Sequence, residues 1–230
     1  MMSYADKPWL KHYDANVPEN ISVPDVPLHQ FLLDAAQKLP DHTAIIFKGK
    51  EITYRELDEM TDAIAAALIA DGFKKGDRAV IYMPNSPQFV ISYFGVLKAG
   101  GIVIATNPLY TERELEHQLA DCGAETVFVL SLFYNQLKNV QRKGHTNVKR
   151  IIVANVKEFL PFPLNILFTL LKEKKEGHRV TLEAGDVGFS DFMARGKRAP
   201  RPNVDVSADD IALLQYTGGT TGLSKGAIAL

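Results

Sequence analysis

Four short apolar runs, separated by segments that carry their own helix-start signals, constrain this chain more than any other feature. The runs lie at 79–82, 102–105, 126–130 and 150–154 and are rich in Val, Ile and Ala. Thr53 and Glu56 have the spacing of a capping box, in which each side chain satisfies the other's free backbone N–H. The helix they open should run to about residue 71, with Gly72 as its stop. Ser86 followed by Pro87 reads as an N-cap and a first-turn proline, opening a helix to about residue 99. Thr111 and Glu114 repeat the capping-box spacing, and that helix should end near Cys122 and Gly123. Strands that alternate with helices of this length need crossover connections. They predict an α/β fold with a mostly parallel sheet flanked by helices on both faces.

The flanking segments are less regular. Residues 7–27 are rich in proline and polar side chains and read as an extended arm. Apolar residues at helical spacing over 28–39 predict a helix stopped by Pro40, and 43–47 with 51–53 predict a hairpin turned at Gly49. Residues 159–171 (FLPFPLNILFTLL) break the rhythm. They are too short and proline-broken to span a bilayer, which needs about 20 apolar residues. Their apolar periodicity is read as a buried core helix. The alternative is an interfacial segment that helps a lipid leave the membrane, aided by Lys172, Lys174, Lys175 and Arg179. The basic stretches 138–150 and 195–201 read as solvated loop faces, with attraction for anionic phosphate or head groups as the minority reading. Residues 191–202 read as a proline-bounded connection. No linker divides residues 1–230 into separate domains.

Charge and cysteine usage narrow the function classes. Lys and Arg total 26 against 27 Asp and Glu, a net charge of −1, which gives no global signal for nucleic acid. The single cysteine, Cys122, excludes an internal disulfide and any multi-cysteine metal site. The six histidines show no paired metal-ligand spacing, and His117 reads as a helix-surface residue. Asp58, Glu59 and Asp62 read as a solvated helical face rather than catalytic carboxylates. The first ten residues lack the pattern of a signal peptide, so a soluble cytoplasmic location is expected.

The chemistry concentrates in the last stretch. An apolar run from Ile211 leads into Tyr216-Thr-Gly-Gly-Thr-Thr-Gly-Leu-Ser-Lys-Gly226. Glycine removes the Cβ that would hold a phosphate away, and consecutive N–H groups can form an anion-binding nest. Threonine hydroxyls can donate to phosphate oxygens or ligate Mg²⁺, and Lys225 supplies a mobile charge. A Walker loop needs glycine before the lysine and Ser or Thr after it. Here Ser224 precedes Lys225 and Gly226 follows, so that pattern fails.

This loop closely resembles the phosphate-binding signature of the adenylate-forming superfamily, usually Tyr-Thr-Ser-Gly-(Ser/Thr)-Thr-Gly-x-Pro-Lys-Gly. It departs at Gly218, where Ser is usual, and at Ser224, where Pro is usual. The Gly218 form resembles the long-chain fatty-acid–CoA ligase branch. Ile52-Thr-Tyr-Arg-Glu-Leu57 and Leu97-Lys-Ala-Gly-Gly-Ile-Val-Ile-Ala-Thr-Asn-Pro108 resemble two further core motifs in the expected order. Residues 9–18 and 107–115 also look like the long-chain branch.

The resemblance implies the N-terminal portion of a large adenylate-forming domain over 1–230. It implies an enzyme that joins a fatty acid to AMP with ATP and Mg²⁺, then passes the acyl group to coenzyme A. Carried over by position, Thr217, Gly218, Gly219, Thr220, Thr221 and Gly222 would wrap the β- and γ-phosphates. Thr217 would lie near Mg²⁺, Lys225 would neutralise departing pyrophosphate as the catalytic residue, and Tyr216 would support the loop. The family's adenine, ribose and second-lysine segments fall outside these residues, so the 230-residue chain alone is expected to be inactive. Open alternatives are another adenylate-forming enzyme, a different nucleotide hydrolase, or a noncatalytic binding module. Homo-oligomerisation and peripheral contact with the inner face of the membrane also stay open.

Overall fold

The structure, a computed structural model, describes residues 6–217 and 224–230. Seven strands form the main sheet in the order β7-β6-β5-β3-β4-β8-β9. They are β3 (Arg78–Tyr82), β4 (Ile102–Ala105), β5 (Thr126–Leu130), β6 (Arg150–Ala154), β7 (Val187–Gly188), β8 (Leu213–Thr217) and β9 (Lys225–Ala229). All neighbouring pairs are parallel except β8 with the edge strand β9. β1 (Thr43–Phe47) and β2 (Lys50–Thr53) make a separate antiparallel hairpin, as the sequence predicts.

Strand side chains alternate between two cores, which is why the runs are apolar throughout. Ala79, Ile81, Phe128, Leu130, Ile152 and Ala154 face one core. Val80, Tyr82, Val127, Val129, Ile151 and Val153 face the other. The first face is covered by α2 (Tyr54–Ala70), α3 (Pro87–Lys98) and α7 (Phe189–Gly196), and the second by α4 (Glu112–Cys122) and α5 (Tyr134–Arg142). The expected α/β architecture, with helices on both faces, is what forms.

The helix starts follow the local chemistry. Thr53 with Glu56, and Thr111 with Glu114, form complete capping boxes, and Ser86 accepts from the Phe89 N–H with Pro87 in the first turn. α4 ends on Gly123 at φ 61°, a left-handed position that glycine takes without steric cost. α1 (Gln30–Lys38) occupies the centre of the predicted 28–39 helix. Within the 7–27 arm, the chain makes a single 3₁₀ turn at Leu10–His12.

Several sequence expectations need correction. Residues 159–171 do not form a buried core helix. They form α6 (Leu164–Leu167) and a π-helical turn at Phe168–Lys172, and Phe162, Leu170 and Leu171 are 79%, 74% and 69% exposed. Only Phe159 and Phe168 of that segment are buried, because Phe168 packs edge-on against the buried His178. The 191–202 connection begins as helix α7, whose Phe192 lies in the core. The 138–150 stretch is helical to Arg142, and Lys138 is buried against Asp186 at 3.0 Å. Asp58 and Asp62 are not a freely solvated face. They hold the buried Lys98 ammonium at 2.5 and 2.6 Å and bind Arg201 on their other side.

Candidate functional site

β8 ends with Thr217 at the carboxyl end of the parallel strands. That is the edge where open α/β sheets bind ligands, because helix N-termini and crossover loops converge there. The ladder with β9 runs Leu213↔Ala229 through Tyr216↔Gly226 to Thr217↔Lys225. Thr217 and Lys225 are therefore directly opposed and share one face of the hairpin. Both are exposed. The two residues that the sequence nominates thus sit opposite each other, at the end of β8 and the start of β9. Gly218, Gly219, Thr220, Thr221 and Gly222 lie outside the described residues.

Tyr216 points the other way, as strand alternation demands. Its ring is buried in the core beneath α4, and its hydroxyl donates to the Asp121 carboxylate at 2.5 Å. Burial, and then the Asp121 carboxylate, push the phenol well above its ordinary range, so it stays a neutral donor. It is a core residue at the end of β8. Across the ladder, a Cβ added to Gly226 would sit 3.0 Å from the Tyr216 ring, so the ring lies over a bare backbone. Burial also raises the nearby Cys122 thiol to about 11, which leaves it without thiolate character at neutral pH.

His117 is placed differently from the surface position its sequence context suggests. It is half-buried, and its Nε2 lies 3.2 Å from the Ser224 carbonyl oxygen, immediately before Lys225. Because a carbonyl only accepts, Nε2 carries the proton in this contact. Asp121 and the bonding role of His117 were not legible in the sequence. Their only local signal is the i, i+4 spacing on a capped helix, and that spacing does not say what the face meets.

Among the described residues, no group of three or more His, Cys, Asp or Glu side chains is arranged to hold a metal ion. Thr217 offers one neutral oxygen. That suits a hard cation such as Mg²⁺ only where phosphate oxygens and water supply the remaining ligands.

Comparisons with known proteins fit this geometry. A long-chain-fatty-acid–CoA ligase from Bacillus subtilis is 43% identical over 226 residues, covering 96% of this chain and 40% of the relative. The Yersinia pestis protein of the same name is 40% identical, over 97% of this chain and again 40% of its own length. The chain thus spans about two-fifths of the length of these relatives. The crystal structure of a long-chain-fatty-acid–CoA ligase from Archaeoglobus fulgidus superposes with a TM-score of 0.72 at 28% identity, covering 94% of this chain and 39% of that one. The family model described as AMP-binding enzyme matches residues 32–229, nearly the whole chain, and the chain belongs to that family.

Proposed function

We propose that this chain is the phosphate-binding portion of a long-chain fatty-acid–CoA ligase, the N-terminal part of its large domain. The observation that carries the reading is the opposed pair Thr217 and Lys225 at the carboxyl end of the sheet. The names of the relatives support the substrate class.

The reaction proposed is in-line attack of a fatty-acid carboxylate on the α-phosphorus of ATP, expelling pyrophosphate, followed by transfer of the acyl group to coenzyme A. In such a displacement the protein positions groups and offsets charge; it need not supply a nucleophile. Lys225 would face the negative charge that builds on the leaving pyrophosphate. At ~4 Å and an effective dielectric of ~20, that attraction is roughly 4 kcal/mol per charge before desolvation is subtracted. Thr217 would donate to phosphate or lend its oxygen to Mg²⁺, and 218–222 would wrap the β- and γ-phosphates.

The test is ATP–pyrophosphate exchange in the complete ligase. Lys225→Ala should lower exchange by about a hundredfold or more with the melting temperature nearly unchanged, as removal of a transition-state charge partner does. Unchanged exchange overturns the role. Release of ADP in place of AMP would favour a different nucleotide hydrolase, and an acyl-acid panel would separate fatty from aryl substrates.

A second reading concerns the lipid. The exposed apolar side chains of 162–171, beside a basic stretch, support peripheral contact with an anionic membrane surface.

A further inference from the structure

We infer that α4 is a two-point clamp on the phosphate loop, with His117 and Asp121 as positioning residues for its two stems. The inference rests on the ligase reading above and deepens it.

The geometry is specific. His117 and Asp121 are one helical turn apart, so their side chains leave the same face of α4. Asp121 takes the Tyr216 hydroxyl at 2.5 Å, on the strand entering the loop. His117 meets the Ser224 carbonyl at 3.2 Å, on the strand leaving it. These contacts lie one residue before Thr217 and one before Lys225. Together they fix both members of the proposed phosphate-binding pair from one rigid body. Gly226 adds a third tie by leaving room for the Tyr216 ring over the returning strand.

The clamp is stiff because α4 is held at both ends and along its length. The Thr111–Glu114 box fixes its start and the left-handed Gly123 its end. Leu115 and Leu119 are fully buried against the sheet. On the flank, Glu116 binds Lys143 at 2.8 Å and His145 at 2.6 Å, which ties α4 to the end of α5. Ser224 stands where the superfamily signature usually has proline. A hydrogen bond to the Ser224 carbonyl restrains that stem from outside, where a proline would restrain it from within.

The experiment is steady-state ATP–pyrophosphate exchange in the complete ligase, with the KM for Mg·ATP and for the fatty acid measured separately. His117→Ala and Asp121→Ala should each raise the KM for Mg·ATP or lower kcat by about three- to tenfold, the range one net hydrogen bond supplies. The KM for the fatty acid should not move. His117→Gln, whose amide can reach the same carbonyl, should restore most of the loss. Tyr216→Phe should match Asp121→Ala, and the double variant should be no worse than either single one. If Asp121→Ala fails to fold, Tyr216→Phe removes the same hydrogen bond while keeping the ring. An equal rise in KM for both substrates, no rescue by Gln, or additive Tyr216 and Asp121 effects would overturn the clamp. Lys225→Ala keeps the two ideas apart. If it abolishes exchange while the α4 variants are silent, the clamp fails and the ligase reading stands. If it is silent too, both fail.

Discussion

His178 is a residue whose chemistry depends on where the fold puts it. Its ring is buried, with Nδ1 2.9 Å from the Ser131 hydroxyl and the Phe168 ring packed edge-on at 5.4 Å. Burial lowers its pKa below 6.5, against the smaller opposing pull of Glu176 and Glu173. The folded state thus disfavours the imidazolium that the unfolded chain accepts readily. Its contribution to stability is complete above the ordinary imidazole range and is lost as pH falls from there towards the folded-state value. Melting temperature measured from about pH 8 to about pH 5 should fall more steeply for the native protein than for His178→Gln. His29, lowered by burial and by Lys98, leaves a residual slope in both. Parallel curves would show that His178 carries none of the acid sensitivity. Residues of this kind were the least legible in the sequence. His178, His117, Asp121 and Lys98 are polar side chains whose partners lie 36 or more residues away, and no local pattern announces such a pairing. Thr217 and Lys225 could be nominated as candidates because the glycine and hydroxyl density around them is itself local.

At the scale of elements, legibility tracked capping chemistry. α2, α3 and α4 each begin with a side-chain cap that the sequence spells out, whereas α5 and α7 have none. Those two form because Leu137, Val140, Phe189 and Phe192 bury into the cores, a tertiary cause invisible to local reading. The same distinction yields two predictions. Thr111→Ala removes a local cap and should cost about 1 kcal/mol in a denaturant titration, shortening α4 from its start. Gly196→Ala attacks a tertiary contact. Its new Cβ would fall 1.7 Å from the Ala63 carbonyl oxygen, since α7 crosses the alanine-rich face of α2 backbone to backbone. No flexible side chain can yield there. The expected loss is about 3 kcal/mol, the upper end for overpacking, and a loss near zero would mean that α7 docks elsewhere.

For the whole molecule, the sheet's parallel core followed from the strand–helix rhythm, while the antiparallel return of β9 did not. The lipid question turns on side-chain direction in the segment after β6. Apolar periodicity establishes that one stripe is apolar but not which surface it meets, and here Phe162, Leu170 and Leu171 are exposed. No helix of the described residues is long and apolar enough to cross a membrane. The charge balance there also differs from what the sequence suggests. Glu173 is buried, taking Lys157 at 2.6 Å and the Asn155 amide at 2.9 Å, and its other oxygen lies 3.8 Å from Arg179, so Lys172, Lys174 and Lys175 are the exposed cations it does not pair. Glu176 pairs with Lys172 at 3.6 Å. Each such cation near an anionic leaflet contributes about 1 kcal/mol, screened by salt. In sedimentation with vesicles containing anionic phospholipid, the complete protein should bind more weakly as salt rises. Phe162→Glu with Leu170→Glu should lower binding by about tenfold or more, because both side chains are exposed and each loses apolar burial worth roughly 1 kcal/mol or more. Phe168 is the wrong residue for that test, since it is packed on His178 and its replacement would report folding. Equal sedimentation of variant and native protein would remove the membrane reading.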